Sequence, residues 1–110
     1  MVGVEPAAGD DATRSFKTGV LHTVHNPQTI ADGLLTSLGT LTFAIIRERV
    51  ERIVTVSEGA IATAMRHVWE RMKVIIEPSS AVPVGVLWER GDYRFITFTR
   101  FNREFLEPGK

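Results

Sequence analysis

From Glu58 onward the apolar residues Ile61, Met65, Val68, Trp69 and Met72 recur at intervals of three and four. That spacing lays one apolar stripe along a helix running to about Lys73, and Ser57 in front of it is a suitable N-cap. Ile53 to Val56, immediately upstream, is short and β-branched throughout, which predicts a buried strand. Val2 to Val4, halted by Pro6, predicts a second strand, and Val74, Ile75 and Ile76 a third. Leu41 to Val50 spreads Leu41, Phe43, Ile45, Ile46 and Val50 over a broad face and predicts a well-buried helix.

Shorter signals fill in the remainder. Gly9 and Asp10 mark a turn, Asp10 or Asp11 can cap a helix through Lys17, and Gly19 suits its C-terminal position. Val20 to Pro27 reads as extended or loop, and Thr29 to Thr40, broken by Gly33 and Gly39, follows no clear period. Pro78 and Ser79 give a break and an N-cap before a helix toward Arg90, with Pro83 early enough for the first turn. Tyr93 to Phe101 alternates loosely and predicts a strand. Helices alternating with short apolar strands imply an α/β fold, a parallel sheet with helices packed on it.

Composition narrows the class. A chain of 110 residues holds one small domain, and 44% hydrophobic with 24% charged residues is a globular balance. Thirteen basic residues offset thirteen acidic ones, so no net field favours nucleic acid or an anionic membrane. The absence of cysteine excludes disulfides and thiolate metal sites and is compatible with a cytoplasmic protein. No apolar run approaches the roughly 20 residues needed to cross a bilayer, and the first residues lack the pattern of a signal peptide.

Several segments, in order, carry a family resemblance: Gly3-Val4-Glu5-Pro6 with Asp10-Asp11, Thr29-Ile30-Ala31-Asp32-Gly33, and Ile45-Ile46-Arg47. They continue with Ile53-Val54-Thr55-Val56-Ser57-Glu58, Val68-Trp69-Glu70-Arg71-Met72-Lys73 and Glu77-Pro78-Ser79. Together they resemble the serine/threonine dehydratase and serine racemase family of fold-type II pyridoxal-phosphate enzymes. The resemblance implies a three-layer α/β domain of the tryptophan synthase beta-like kind, of which residues 1–90 match the C-terminal section. It fades near Arg90, which leaves 91–110 as a divergent tail, a strand and then a disordered end.

The implied parent reaction is β-elimination of a small hydroxy amino acid to an oxo acid and ammonia, or its racemisation, with pyridoxal phosphate as cofactor. In that family a lysine in the N-terminal half forms the Schiff base and a glycine-rich loop holds the phosphate. The lysines here are Lys17, Lys73 and Lys110, and no glycine run suits a phosphate. Ser15-Phe16-Lys17 mimics the Schiff-base signature, but Lys17 sits beside Asp10, Asp11 and Arg14 in a helical stretch, where a solvated lysine is the simpler reading. No catalytic residue is therefore expected in this chain, and it is expected to be inactive alone.

By the resemblance, Asp32 and Gly33 lie on a loop approaching the cofactor, and Glu77-Pro78-Ser79 leads a helix bordering it. Read alone, these are a turn glycine and a strand end with a cap. Glu5, Gly9 and Asp11 place two carboxylates and a carbonyl in one turn, which suits a hard cation such as Mg, Ca or Mn. The resemblance implies the same three positions as ligands; the simpler alternative is that Asp10 or Asp11 caps a helix and Glu5 ends a strand. His22 and His25 lack a third ligand nearby, His67 reads as a surface residue, and Trp69 and the methionines as core. A second kind of function stays open: a non-catalytic interaction or cation-binding module, homo-oligomeric or associating through exposed sheet edges.

Overall fold

The computed structural model describes residues 1–23 and 26–90. The predicted strand at 93–101 and the tail as a whole lie outside the described residues. β1 (Val2–Pro6) runs into a 3-10 turn (Ala7–Gly9) and α1 (Asp11–Thr18). An irregular segment with a second 3-10 turn (Asp32–Leu34) leads to α2 (Thr40–Arg49) and β2 (Arg52–Val56). α3 (Glu58–His67) widens into a π turn (Val68–Met72), and α4 (Pro78–Arg90) follows. β1 and β2 pair in parallel, Val2 opposite Arg52 and Pro6 opposite Val56. The predicted α/β character and parallel pairing are both present.

Local signals explain the ends of the elements. Ser57 has extended backbone, and its side chain accepts the Ala60 N–H at 3.2 Å, satisfying a donor the helix itself cannot. Gly19 adopts φ 74 and its N–H bonds the Ser15 carbonyl, closing α1 in the left-handed conformation that glycine tolerates best. At the other end of α1 Asp10 makes no side-chain cap and instead pairs with Arg14 at 3.0 Å. The Arg47 guanidinium stacks over Phe43 and donates to the Gly19 carbonyl, which fastens α2 to the end of α1.

The core is built where α3 and α4 cross over the strands. Ala60, Ile61, Ala64 and Val68 meet Ala81, Val82, Val84 and Val86, with Val2, Val54 and Val56 beneath them. Small residues bring the helices close: a Cβ on Gly85 would stand 3.0 Å from Val56 Cγ2 and 3.2 Å from the Ala60 carbonyl carbon and oxygen. Glu89 accepts the Ser57 N–H at 3.0 Å, tying the end of α4 to the start of α3.

Five expectations are corrected. Val74 to Ile76 is an extended link, not a strand, and Ile75 is 85% exposed. Its β-branched run has no strand alongside it among the described residues, because Lys73 turns the chain in the left-handed conformation straight toward α4. α2 is not well buried: Phe43 alone is inside, while Leu41 and Ile45 face outward. Trp69 and Met72 are exposed, because the side of α3 that packs is the one carrying Ala60 and Ala64, which permit the close crossing. Pro83 falls in the second turn of α4, since that helix begins at Pro78; Ser79 is inside the helix and does not cap it.

Candidate functional site

The turn between β1 and α1 gathers buried acids. The parallel pairing fixes Glu5 opposite Thr55, and the Glu5 carboxylate reaches over the start of α1, accepting N–H groups from Ala12, at 3.2 Å, and Thr13. A negative group at a helix N-terminus meets both the unpaired amides and the positive end of the dipole. Glu5 thus does the capping that the sequence suggested for Asp10 or Asp11. Asp11 is also buried, and its Oδ2 accepts the Leu38 N–H at 2.8 Å. Gly9, the third expected ligand, is buried between them in sequence.

Burial raises the Glu5 carboxyl above its usual range, and repulsion from Asp11 adds to this. Donors from Thr13 and Ala12 pull the other way. The Thr13 hydroxyl oxygen is buried and makes no hydrogen bond of ordinary geometry. The turn offers a cation only two carboxylates and main-chain carbonyls. Among the described residues no group of three or more His, Cys, Asp or Glu side chains could hold a metal ion.

The Asp32–Gly33 loop is fixed from outside. Glu58 Oε2 accepts the Ile30 N–H at 2.8 Å, Ser79 Oγ accepts the Gly33 N–H at 2.9 Å, and Asp11 holds Leu38. Each of these acceptors sits in the first turn of a different helix, α3, α4 and α1. Ala31, fully buried, anchors the centre of the segment. The structure therefore brings together Asp32, Gly33 and Ser79, and separately Glu5 and Asp11. Reading Ser79 as a cap concealed its contact with the loop; nothing local in the sequence signals a partner so distant.

The remaining candidates are elsewhere. His22 Nε2 lies 2.9 Å from Thr18 Oγ1, and His25 is outside the described residues. His67 meets Trp88 edge to face, with centroids 4.6 Å apart. Lys17 is exposed in the last turn of α1. Lys73 is exposed and donates to the Glu70 carbonyl at 2.8 Å. Lys110 is outside the described residues.

A parallel βαβ layout with a helix-fixed loop beside the strand ends is the frame of a cofactor-binding α/β domain. The model of the pyridoxal-phosphate dependent enzymes matches residues 1–94, and the chain belongs to that family. It is 51% identical over 85 residues to a serine racemase of Dictyostelium discoideum, covering 76% of this chain and 26% of that protein. It is 46% identical over 88 residues to an L-threo-3-hydroxyaspartate ammonia-lyase of a Pseudomonas species, covering 79% and 28%. Among solved structures, a threonine deaminase of T.th. superimposes with a TM-score of 0.79 at 47% identity, over 82% of this chain and 34% of that one. These neighbours share the fold-type II architecture. The chain spans about a quarter of the length of the curated relatives it matches.

Pyridoxal phosphate sets a clear requirement on the residues around it. A covalently held cofactor needs an amine beside a cluster of free backbone donors. In the loop the Asp32, Gly33 and Leu34 N–H groups already bond Ile30 O, Ser79 Oγ and Ala31 O. Lys17 lies at the far end of α1, and Lys73 is engaged with the Glu70 carbonyl. The described residues therefore do not by themselves meet that requirement.

Proposed function

We propose that residues 1–90 form part of the cofactor domain of a cytoplasmic pyridoxal-phosphate ammonia-lyase or racemase, whose substrate is a small hydroxy amino acid. The observation that carries this is the 2.9 Å bond from the Gly33 N–H to Ser79 Oγ. It joins the two segments, Asp32–Gly33 and Glu77-Pro78-Ser79, that by resemblance border the cofactor. The names of the relatives support the substrate class: serine racemase and hydroxyaspartate ammonia-lyase both act on hydroxy amino acids.

In this reading the 110-residue chain supplies a wall and its positioning bonds, while the amine and phosphate cradle come from other polypeptide. Incubation with pyridoxal phosphate followed by desalting is expected to leave no cofactor-derived visible band, and serine and threonine no oxo acid. A band that survives desalting and disappears in Lys17→Ala overturns this.

A cation-binding role at Glu5, Gly9 and Asp11 is a second reading. Two buried carboxylates that repel each other, beside an unpartnered Thr13 hydroxyl, favour a hard cation with oxygen ligands. Calorimetric titration with calcium or magnesium is expected to show one site, weakened at least tenfold (about 1.4 kcal/mol) in Glu5→Gln. Equal heats for both proteins, or none for either, remove this reading.

A further inference from the structure

The loop that carries Asp32 and Gly33 is held at two points by side chains of two different helices. Glu58, in the first turn of α3, takes the Ile30 N–H at 2.8 Å, and Ser79, in the first turn of α4, takes the Gly33 N–H at 2.9 Å. The backbone between these points is short and bonded to itself. The Asp32 N–H meets the Ile30 carbonyl and the Leu34 N–H the Ala31 carbonyl, each at 2.9 Å, so the 3-10 turn links the two attachments with little slack. Gly33 is needed here for room and not for backbone freedom. Its φ is not positive, yet a Cβ would stand 2.9 Å from Ser79 Oγ and 3.4 Å from Ser79 Cβ. Glu58 Oε1 is buried without a partner among the described residues, so the loop N–H is what holds this carboxylate inward. Burying an unpaired oxygen costs free energy, which a glutamate serving only to start a helix avoids by facing water.

We propose that Glu58 and Ser79 act as one two-point latch, in which Glu58 is a positioning residue that sets Asp32–Gly33 against the start of α4. The turn between the two acceptors is stiff, so releasing either one lets the turn lift as a unit. Neither bond then holds at full strength without the other, as is expected of groups joined in one hydrogen-bonded network. Ala31, 0% exposed, is the only buried residue of 30–34, so such lifting needs little of the core to open. That the latched turn borders a cofactor rests on the function proposed above; the coupling of its two ends does not.

Native-state amide exchange followed by NMR on the full chain tests the latch. The Ile30 and Gly33 amides of the wild type are expected to be protected. Ser79→Ala is expected to speed exchange at Ile30 at least tenfold, although Ile30 keeps its own acceptor, and Glu58→Ala to do the same at Gly33. Glu58→Gln retains a carbonyl acceptor and is expected to restore most of the Gly33 protection. Amides of the buried residues Ala64 and Val86 should keep their wild-type rates throughout, which separates lifting of the turn from loss of the fold. Gly33→Ala should also speed Ile30 at least tenfold, but add little in the Ser79→Ala background, where the crowded hydroxyl is gone. Variants that each free only their own amide overturn the proposal, as does Gly33→Ala acting equally with and without the hydroxyl. Unprotected wild-type amides, or core amides that speed up equally, overturn it too. The readout is independent of the desalting experiment. Coupled amides beside a cofactor band that depends on Lys17 would sink the functional reading alone, and uncoupled amides with no such band the latch alone.

Discussion

Gly85→Val is expected to destabilise the fold by about 3 kcal/mol or more, the upper part of the range for overpacked cores. The Cβ would stand 3.0 Å from a methyl of Val56, which is 1% exposed, and 3.2 Å from backbone atoms of Ala60. Backbone cannot rotate out of the way, so α3 and α4 must separate, and every contact among Ala60, Ala64, Ala81 and Val82 loosens with them. Against a total stability of about 5–15 kcal/mol, that loss is large. Gly85→Ala meets the same contacts with one carbon, but regains about 1 kcal/mol of helix propensity and should fall much less. Gly59→Ala is the control: its Cβ finds only Ser57 Oγ, at 4.0 Å, and should be neutral or slightly stabilising. Urea midpoints by far-UV circular dichroism rank the three. Equal midpoints for Gly85→Val and wild type would show that the two helices do not cross this closely.

The close crossing also explains which parts of the fold could be read in the sequence. Features set by a few neighbouring residues were legible: the Ser57 cap, the Gly19 terminus, the β-branched strand at 53–56 and the helix after it. Parallel pairing was legible too, because β1 and β2 each carry a short apolar run with a helix following. Which side of α3 faces inward was legible only in part. The predicted stripe holds for Ile61 and Val68 in the core and Met65 against it, but Trp69 and Met72 are exposed, whereas the close approach at Gly85 gives Ala60 and Ala64 inward places that hydrophobicity did not single out. The same limit misled the reading of Val74 to Ile76. A strand needs a neighbour, and local propensity carries no information about one. The loop at 29–39 was opaque for a related reason: its order comes from Glu58, Ser79 and Asp11, up to 46 residues away. Membership of the pyridoxal-phosphate dependent enzymes, by contrast, was carried by ordered short segments, and the family match over 1–94 agrees with it.

Glu5→Ala is expected to cost about 2–4 kcal/mol, although it removes a buried carboxylate whose desolvation is unfavourable. The larger effect is on what remains: the Thr13 N–H, buried, and the Ala12 N–H, half-buried, lose their acceptor, at roughly 1–3 kcal/mol for each unsatisfied donor. Glu5→Gln keeps one carbonyl acceptor and should lose about half as much. The two variants also separate the effect of charge from that of hydrogen bonding. Burial raises the Glu5 carboxyl in the folded chain, so between its ordinary range and the raised value the folded state holds a proton that the unfolded state releases. Stability must then fall as pH rises through that window and level off above it. Glu5→Gln has no such proton to hold, so its profile should lack this step. Urea unfolding in chelator-treated buffer from acid to neutral pH measures both curves. Parallel profiles would mean that the donors from Ala12 and Thr13 fully offset burial and the charge of Asp11, so that the Glu5 carboxyl holds no extra proton in the folded chain. Added calcium or magnesium should then act in the opposite direction from rising pH. A cation favours the ionised carboxylate, so it should reduce the fall in wild-type stability on the neutral side and leave Glu5→Gln much less changed.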